Sequence, residues 1–235
     1  MKDHEIFSGL ITTVPFVLRL DGRSFHNLSR AFGYGKPYDQ EFSRAMAETA
    51  QALLEQSGLT PSFAYTFSDE ISLYIDTHVF DCRVEKLVSV AAGFASSAFT
   101  LRCGAPKPLA FDCRVIPLSL DQLASYLAWR QAEAWRNHIN GYAHKLLTDT
   151  GLSATAAQRE LDGMNASRLH ELAFSFGVNL AETPAWKRRG TAVYRLVVEK
   201  DGYNPVSRET VRVLRRVSVI DKDLPLFKTS EGASW

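Results

Sequence analysis

Two short acidic stretches carry the residue types from which a phosphoryl-transfer site could be built. The first is Val-Leu-Arg-Leu-Asp-Gly-Arg-Ser-Phe-His, residues 17–26, in which Asp21 and Gly22 end an alternating run. The second is Ser68-Asp69-Glu70. Carboxylate and carbonyl oxygens are the ligands that Mg²⁺ prefers, and it keeps positions for water and substrate phosphates. If the two stretches meet, they could hold two such ions, which activate an attacking oxygen and neutralise a leaving pyrophosphate.

An Asp-Gly pair after a strand is by itself most often a plain turn. Here further polar groups follow at once, because Arg23, Ser24 and His26 come directly after Asp21-Gly22, and Ser68 directly precedes Asp69. This concentration of donors and acceptors favours a site over a plain turn.

The elements that must position these residues alternate between strand and helix patterns. The pattern predicts, in order, a strand at 14–20, a helix capped by Asp39 and ended at Gly58, a hairpin with strands 63–67 and 71–75, a helix at about 82–101, and a strand at 110–116. This is the order of the split βαβ, ferredoxin-like arrangement. It predicts an antiparallel sheet with helices on one face and the other face free for a ligand. Polymerase palm domains and nucleotide cyclases share this layout, so the fold alone leaves both open.

The second half of the chain reads as mostly helical. A long helix is predicted from Asp121 to about Leu147, Ser153 and Asn165 are predicted to cap two short helices, and strands at 191–198 and 210–220 are predicted to pair around a turn at 201–205. We therefore predict an α+β protein. A palm-like catalytic domain covers residues 1–118, and a C-terminal extension of helices and a hairpin covers 119–235 and packs on the palm.

Charge is distributed unevenly along the chain although its net charge is only +1. Residues 187–222 contain ten Lys or Arg against four Asp or Glu. This asymmetry suits a polyanion-binding face set apart from an acidic centre. Lys187, Arg188 and Arg189 are the best candidates for that face, and the alternative is a solvated basic turn.

The cysteine spacing and the hydropathy pattern argue against zinc-binding, disulfide-rich, secreted and membrane-spanning proteins. Cys82, Cys103 and Cys113 form no zinc pattern and no disulfide framework. We find no secretory signal region and no apolar run long enough to span a bilayer. We therefore expect a cytoplasmic protein without a membrane partner.

Several stretches, taken in order, resemble the tRNA-His guanylyltransferase family, the reverse (3′-to-5′) polymerases. They are Arg19-Leu20-Asp21-Gly22-Arg23 with Phe25-His26, Lys36-Pro37, Ser68-Asp69-Glu70, Phe94-Ala95-Ser96-Ser97, Phe111-Asp112-Cys113-Arg114-Val115, Trp129-Arg130-Gln131-Ala132, His138-Ile139-Asn140, Gly151-Leu152-Ser153 and Arg188-Arg189-Gly190-Thr191. Eukaryotic members follow His-Ile-Asn with Asn-Leu-Tyr-Asn, whereas here the run is Gly141-Tyr142-Ala143-His144. In this respect the chain is more similar to the bacterial and archaeal branch, which repairs 5′-truncated tRNAs.

The resemblance implies a set of site residues. Two Mg²⁺ ions would be held by the carboxylates of Asp21 and Asp69 and the carbonyl of Gly22. Glu70 would be a further catalytic residue, either just outside the ligand set or an occasional ligand. The nucleotide-contacting positions would be Gly22, Arg23, Ser24, Phe25, His26, Lys36, Ser68 and Asp69. From the residues themselves, Arg83 and Lys86 could reach a triphosphate or lie on a solvated helix face. His138 and His144 could contact tRNA, as could Lys187, Arg188 and Arg189, or lie on the surface.

The activity implied is template-dependent addition of nucleotides to the 5′ end of tRNA. The 5′-phosphate is first activated with ATP, and the 3′-hydroxyl of an incoming nucleotide such as GTP then attacks it. The task could be repair of truncated tRNA or addition of one guanylate to tRNA-His, and family likeness suggests a homotetramer. Two other classes stay open: a palm-fold nucleotide cyclase, and a non-catalytic RNA- or nucleotide-binding module.

Overall fold

A six-stranded antiparallel sheet runs through the part of the chain that this computed structural model describes, residues 4–25, 32–204 and 208–227. In chain order its strands are β1 (Phe16–Gly22), β2 (Phe63–Phe67), β3 (Glu70–Ile75), β4 (Phe111–Pro117), β5 (Thr191–Asn204) and β6 (Glu209–Asp221). Their order in space is β4-β1-β3-β2-β5-β6. The predicted α+β class is confirmed.

The described part of the chain forms six helices. They are α1 (Gln40–Gln56), α2 (Val84–Arg102), α3 (Leu120–Asp149), α4 (Ala154–Leu161), α5 (Ala166–Ser175) and α6 (Ala185–Arg189), with a 3-10 turn at Phe80–Cys82. The side chains of Asp39, Ser153 and Asn165 each accept hydrogen bonds from backbone amides in the first turn of the following helix. Each side chain thus accepts hydrogen bonds from backbone amides that have no partner within the helix. All three predicted caps are confirmed.

The main core lies between α1, α2 and one face of the sheet. Alternation along β1 sends Leu18 and Leu20 to this face, where both are fully buried. Helix α2 contributes Leu87, Ala91 and Phe99 to the same cluster.

Helix α2 also bears on the membrane prediction. Among the described residues it is long and apolar enough to cross a bilayer by length and composition, so the sequence-based statement that no such run exists is wrong. Its buried residues, Leu87, Ala91, Ala95, Ala98 and Phe99, pack mainly in the protein core. These contacts bury 28% of the apolar window of the helix.

The other face of the sheet is not free, in contrast to the prediction. The first half of α3 crosses it, and Tyr126 and Leu127 pack against Val17 and Tyr65. The hydroxyl oxygens of Tyr126 and Ser72 are 2.8 Å apart. Sequence periodicity could not show this, because it does not say which sheet face a later helix covers. Because α3 covers this face, a ligand can reach the sheet only at its end.

The C-terminal hairpin belongs to the same sheet. Thr191–Tyr194 of β5 pairs with β2, and the strand then continues with β6 alone. The predicted turn at 201–205 is wrong in part, because pairing extends to Asn204 and places Gly202 opposite Val211. A Cβ on Gly202 would lie 3.2 Å from the Val213 side chain, so this glycine marks close cross-strand packing rather than a turn.

Candidate active site

The two acidic stretches meet at one end of the sheet. Asp21 pairs in register with Glu70 across β1 and β3. The amide of Gly22 donates a hydrogen bond of 3.0 Å to the carbonyl of Asp69. Asp21 and Asp69 line the same cavity, of about 420 Å³. Residues almost fifty positions apart are thus brought together by strand pairing, as the sequence analysis expects.

Local backbone geometry explains the small residues at both turns. Ser68 lies in the left-handed region with φ +49°, and its hydroxyl donates to a carboxylate oxygen of Asp69 at 3.1 Å. A Cβ on Gly22 would lie 2.6 Å from the ring of Phe25. That ring is buried and stacks on Phe99 at a centroid distance of 5.1 Å. The predicted nucleotide-contacting residue Phe25 therefore places most of its side chain in the core, beneath the Asp-Gly turn.

A buried ion pair lies beside the two acids. Arg130 Nε lies 3.3 Å from Glu70 Oε1, and both side chains are largely buried. Burial raises the pKa of Glu70 to about 7, the carboxylates of Asp21 and Asp69 add to the rise, and Arg130 and Arg19 oppose it. Glu70 is thus a carboxyl group poised near neutrality next to the predicted metal ligands.

A second and larger cavity lies on the other side of the Ser68-Asp69 turn. This cleft of about 550 Å³ is bounded by the loop before α1, the second half of α3, and α6. Its basic residues are Lys36, His144, Lys145 and Lys187. The two cavities share Phe67, Ser68 and Asp69 as a common wall. Predicted residues Lys36 and His144 therefore face one cleft together with Asp69.

Arg83 and Lys86 lie elsewhere. Arg83 bridges to Ile11, upstream of β1, whereas the acids lie where β1 ends. The seven residues of β1 span roughly 20 Å at about 3.3 Å per residue. Lys86 instead extends over the ring of Phe80. Helix direction thus places the start of α2, with both cations, at the far end of the sheet from the acids of the same chain, and a contact of Arg83 or Lys86 with a triphosphate stays a prediction.

The two other histidines named by the sequence analysis have different outcomes. His26 lies outside the described residues. His138 is fully buried, stacks with Trp135 at 5.4 Å, and has its Nε2 3.1 Å from the hydroxyl of Thr183. This placement contradicts a direct contact between His138 and RNA, because no part of its ring reaches the surface.

Burial of His138 predicts acid sensitivity. Burial lowers its pKa to about 4, whereas in the unfolded chain it titrates near 6.5. The unfolded state therefore binds the proton first, and stability is lost as the pH falls from 6.5 towards 4. Each pKa unit corresponds to about 1.4 kcal/mol. Between pH 7 and pH 4.5 the free energy of unfolding of His138→Gln should therefore fall by about 2–3 kcal/mol less than that of wild type. Urea denaturation at both pH values measures this, and parallel losses would contradict it.

The three basic residues of α6, Lys187, Arg188 and Arg189, make different contacts. Arg188 Nε donates to the carbonyl of Thr183 at 2.8 Å, and Arg189 Nη1 donates to that of Leu224 at 2.9 Å. Lys187 lines the larger cleft, with its ammonium 3.3 Å from the hydroxyl of Tyr142. Arg188 and Arg189 thus hold the chain together and line a third cavity of about 320 Å³, whereas Lys187 lines the larger cleft.

Six residues at the smaller cavity were not among the predicted site residues. They are Arg19, Phe67, Trp129, Arg130, Glu133 and Asn137. The signal that could have found three of them is spacing, since Trp129, Glu133 and Asn137 recur every four residues and must share one helix face. The sequence could not show that this face lies opposite the acids.

The donor set fits Mg²⁺. Within the described ranges no group of three or more His, Cys, Asp or Glu is arranged as a complete metal site. Asp21 and Asp69 offer two carboxylates, and Gly22 offers a carbonyl at the same strand end. Such a partial set suits an ion that takes its remaining ligands from water and substrate phosphates.

An antiparallel sheet with paired strand-end acids between two cavities is the layout of palm-type enzymes that act on nucleotides. The profile of the tRNAHis guanylyltransferase family matches residues 1–119, and that of the Thg1 C terminal domain matches residues 121–222. The chain belongs to the tRNA(His) guanylyltransferase family.

Individual relatives agree with this assignment. The "probable tRNA(His) guanylyltransferase" of Drosophila melanogaster is 32% identical over 206 residues, which are 83% of this chain and 72% of that protein. The tRNA(His) guanylyltransferase of Schizosaccharomyces pombe is 28% identical over 95% of this chain and 92% of its own. A bacterial tRNA(HIS) guanylyltransferase (Thg1)-like protein solved in complex with ATP superposes with a TM-score of 0.74 at 25% identity, over 96% of this chain and 92% of that one.

Proposed function

We propose that this protein is a template-dependent nucleotidyltransferase that adds nucleotides to the 5′ end of tRNA in the 3′-to-5′ direction. The observation that carries the proposal is the common wall of the two cavities, on which Asp69 faces both while Asp21 faces one. A reaction that joins a nucleotide to an RNA end must hold two substrates on either side of one catalytic centre. Two cavities that share an acidic wall meet this need.

The residues of the chain divide the work. Asp21 and Asp69, with the Gly22 carbonyl, would hold two Mg²⁺ ions, which when bound activate the attacking oxygen and neutralise the leaving group. Lys36 and Lys187 would position phosphates in the larger cleft. Phosphoryl transfer depends on positioning and charge neutralisation rather than on a nucleophilic side chain.

ATP and GTP are the proposed nucleotides. The 5′-phosphate of the RNA attacks the α-phosphorus of ATP and releases pyrophosphate. The 3′-hydroxyl of GTP then attacks the activated 5′-phosphate and displaces AMP, so that the chain grows by one residue at its 5′ end. The ATP complex of the bacterial relative supports the first step. The family's guanylyltransferase name supports the second. We also propose a homotetramer, to be tested by sedimentation equilibrium.

Incubation with labelled tRNA tests the proposal. The protein is mixed with 5′-truncated tRNA or full-length tRNA-His, ATP, GTP and Mg²⁺, and products are resolved by length. Extension at the 5′ end is expected, and a preference for truncated tRNA would indicate repair. A cyclic nucleotide product would indicate the cyclase alternative, and no product from any substrate would indicate a binding module.

Lys187 supplies a prediction for tRNA binding. Lys187→Gln should weaken tRNA binding about tenfold, the effect of one lost charge-assisted hydrogen bond. It should also reduce, by about one, the slope of log affinity against log salt concentration. The matched control is Lys86→Gln, which removes a lysine at the far end of the sheet. Filter binding at several salt concentrations measures both, and equal affinities for the two variants would remove Lys187 from the RNA contact.

A further inference from the structure

The smaller cavity has a wall that the proposed chemistry does not use. Trp129, Glu133 and Asn137 stand one turn apart along α3 and line this cavity together with Asp21 and Asp69. Glu133 is engaged by Arg136 on the same helix. Within the described ranges no hydrogen bond is made by the side chain of Asn137, which is exposed. An aromatic ring and an unused amide therefore face the two acids across the cavity.

Trp129 differs from a packing residue. It is 48% exposed, whereas Trp135, two turns along the helix, packs against the rings of both His138 and His170. The guanidinium carbon of Arg130 lies 3.9 Å from the Trp129 ring centre, and that of Arg19 lies 5.7 Å away. Because Arg130 is itself buried and paired with Glu70, the indole is held in place while it lines the cavity.

A fixed, half-exposed indole in a polar cavity suits a nucleobase. Bases stack on aromatic side chains whatever their sequence, and side-chain amides can hydrogen-bond base edges. An indole already held by neighbours loses little conformational freedom when a base binds. The larger cleft beyond Asp69 carries lysines suited to phosphates, whereas the smaller cavity carries the indole and the amide suited to a base.

We propose that the indole of Trp129 stacks on the terminal base of the RNA end and thereby sets the 5′-phosphate beside Asp21 and Asp69. This inference rests on the proposed function, because it identifies the site of that reaction's RNA substrate. Asn137 contacts the edge of the same base. The ligand recognised here is an open duplex end carrying a 5′-monophosphate.

The test compares open and closed RNA. A 5′-monophosphorylated stem with an open end and a covalently circular RNA of the same sequence are titrated, without ATP or GTP, into wild type, Trp129→Phe and Trp129→Ala. Phe174→Ala is the matched control, since Phe174 is an exposed aromatic residue on α5. Trp129→Ala should bind the open stem about tenfold more weakly, within the range for one lost base stack. Trp129→Phe should restore most of the affinity, and binding of the circle should not change in either variant.

The outcomes separate this inference from the proposed function. Equal affinity of wild type and Trp129→Ala for the open stem overturns the stacking role, even if wild type extends RNA. Equal loss for stem and circle also overturns it, because the residue would then bind RNA without reading an end. Failure of wild type to extend any RNA, with end-dependent binding retained, overturns the proposed chemistry and leaves the stacking site standing. Thermal unfolding of each variant confirms that the fold is intact.

Discussion

Replacing either Asp21 or Asp69 by asparagine should reduce 5′ extension of RNA at least about 1,000-fold. Each substitution removes a negative charge and a hard oxygen ligand while keeping the side-chain volume. Divalent ions at such a centre contribute several kcal/mol to transition-state stabilisation, and each 1.4 kcal/mol is a factor of ten in rate. The measurement is single-turnover extension of a labelled 5′-truncated tRNA at saturating ATP, GTP and Mg²⁺.

Asp112 provides the matched control. It pairs in register with Asp21 on the neighbouring strand β4, but its exposed carboxylate is engaged by Arg114 at 3.8 Å. Asp112→Asn should therefore extend RNA within about twofold of wild type, because a surface ion pair contributes about 0–1 kcal/mol. Wild-type rates in Asp21→Asn or Asp69→Asn would remove that residue from the metal centre. An equal loss in Asp112→Asn would show a general effect of charge at this sheet end.

Arg130→Met should destabilise the protein by about 1–2 kcal/mol at pH 8, which is one pKa unit above the value for Glu70, because the buried carboxyl group loses its cation and can take up a proton instead. The substitution preserves apolar contact with the ring of Trp129 but leaves the carboxyl group of Glu70 buried without its cation. Because burial already raises the pKa of Glu70 to about 7, the loss should be largest above pH 7, where the carboxylate is ionised in the folded state. Urea denaturation at pH 8 without divalent cations measures it.

Two further variants isolate the cause. Adding Glu70→Gln to Arg130→Met removes the unpaired charge and should restore most of the lost stability, because a buried pair can be replaced at little net cost. Arg114→Met breaks an exposed pair and should change stability by less than about 1 kcal/mol. A double variant no more stable than Arg130→Met alone would show that the loss comes from packing around the guanidinium rather than from the charge of Glu70.

Local signals were sufficient for much of the fold. The three helix caps, the β2–β3 hairpin and the strand–helix order follow from residue types within a few positions of each other, and all are present. The meeting of Asp21 and Asp69 was also predictable, because both end strands at the same edge of an antiparallel arrangement. The position of Arg83 and Lys86 was not predictable, because helix spacing says nothing about which end of the sheet a helix starts from.

The sequence by itself determined most of the elements, though not the short helix α6, and also their order and the acidic strand ends, because backbone propensity, capping and alternation are properties of neighbouring residues. Only the tertiary structure decided that α3 covers the second sheet face, that His138 is buried and Trp129 is half-exposed on the same helix, and that Glu70 pairs with Arg130. Each of these depends on the angle at which one helix crosses a sheet built from distant strands. Residues of one helix can therefore lie in the core, form an ion pair or line a cavity, according to their position along it.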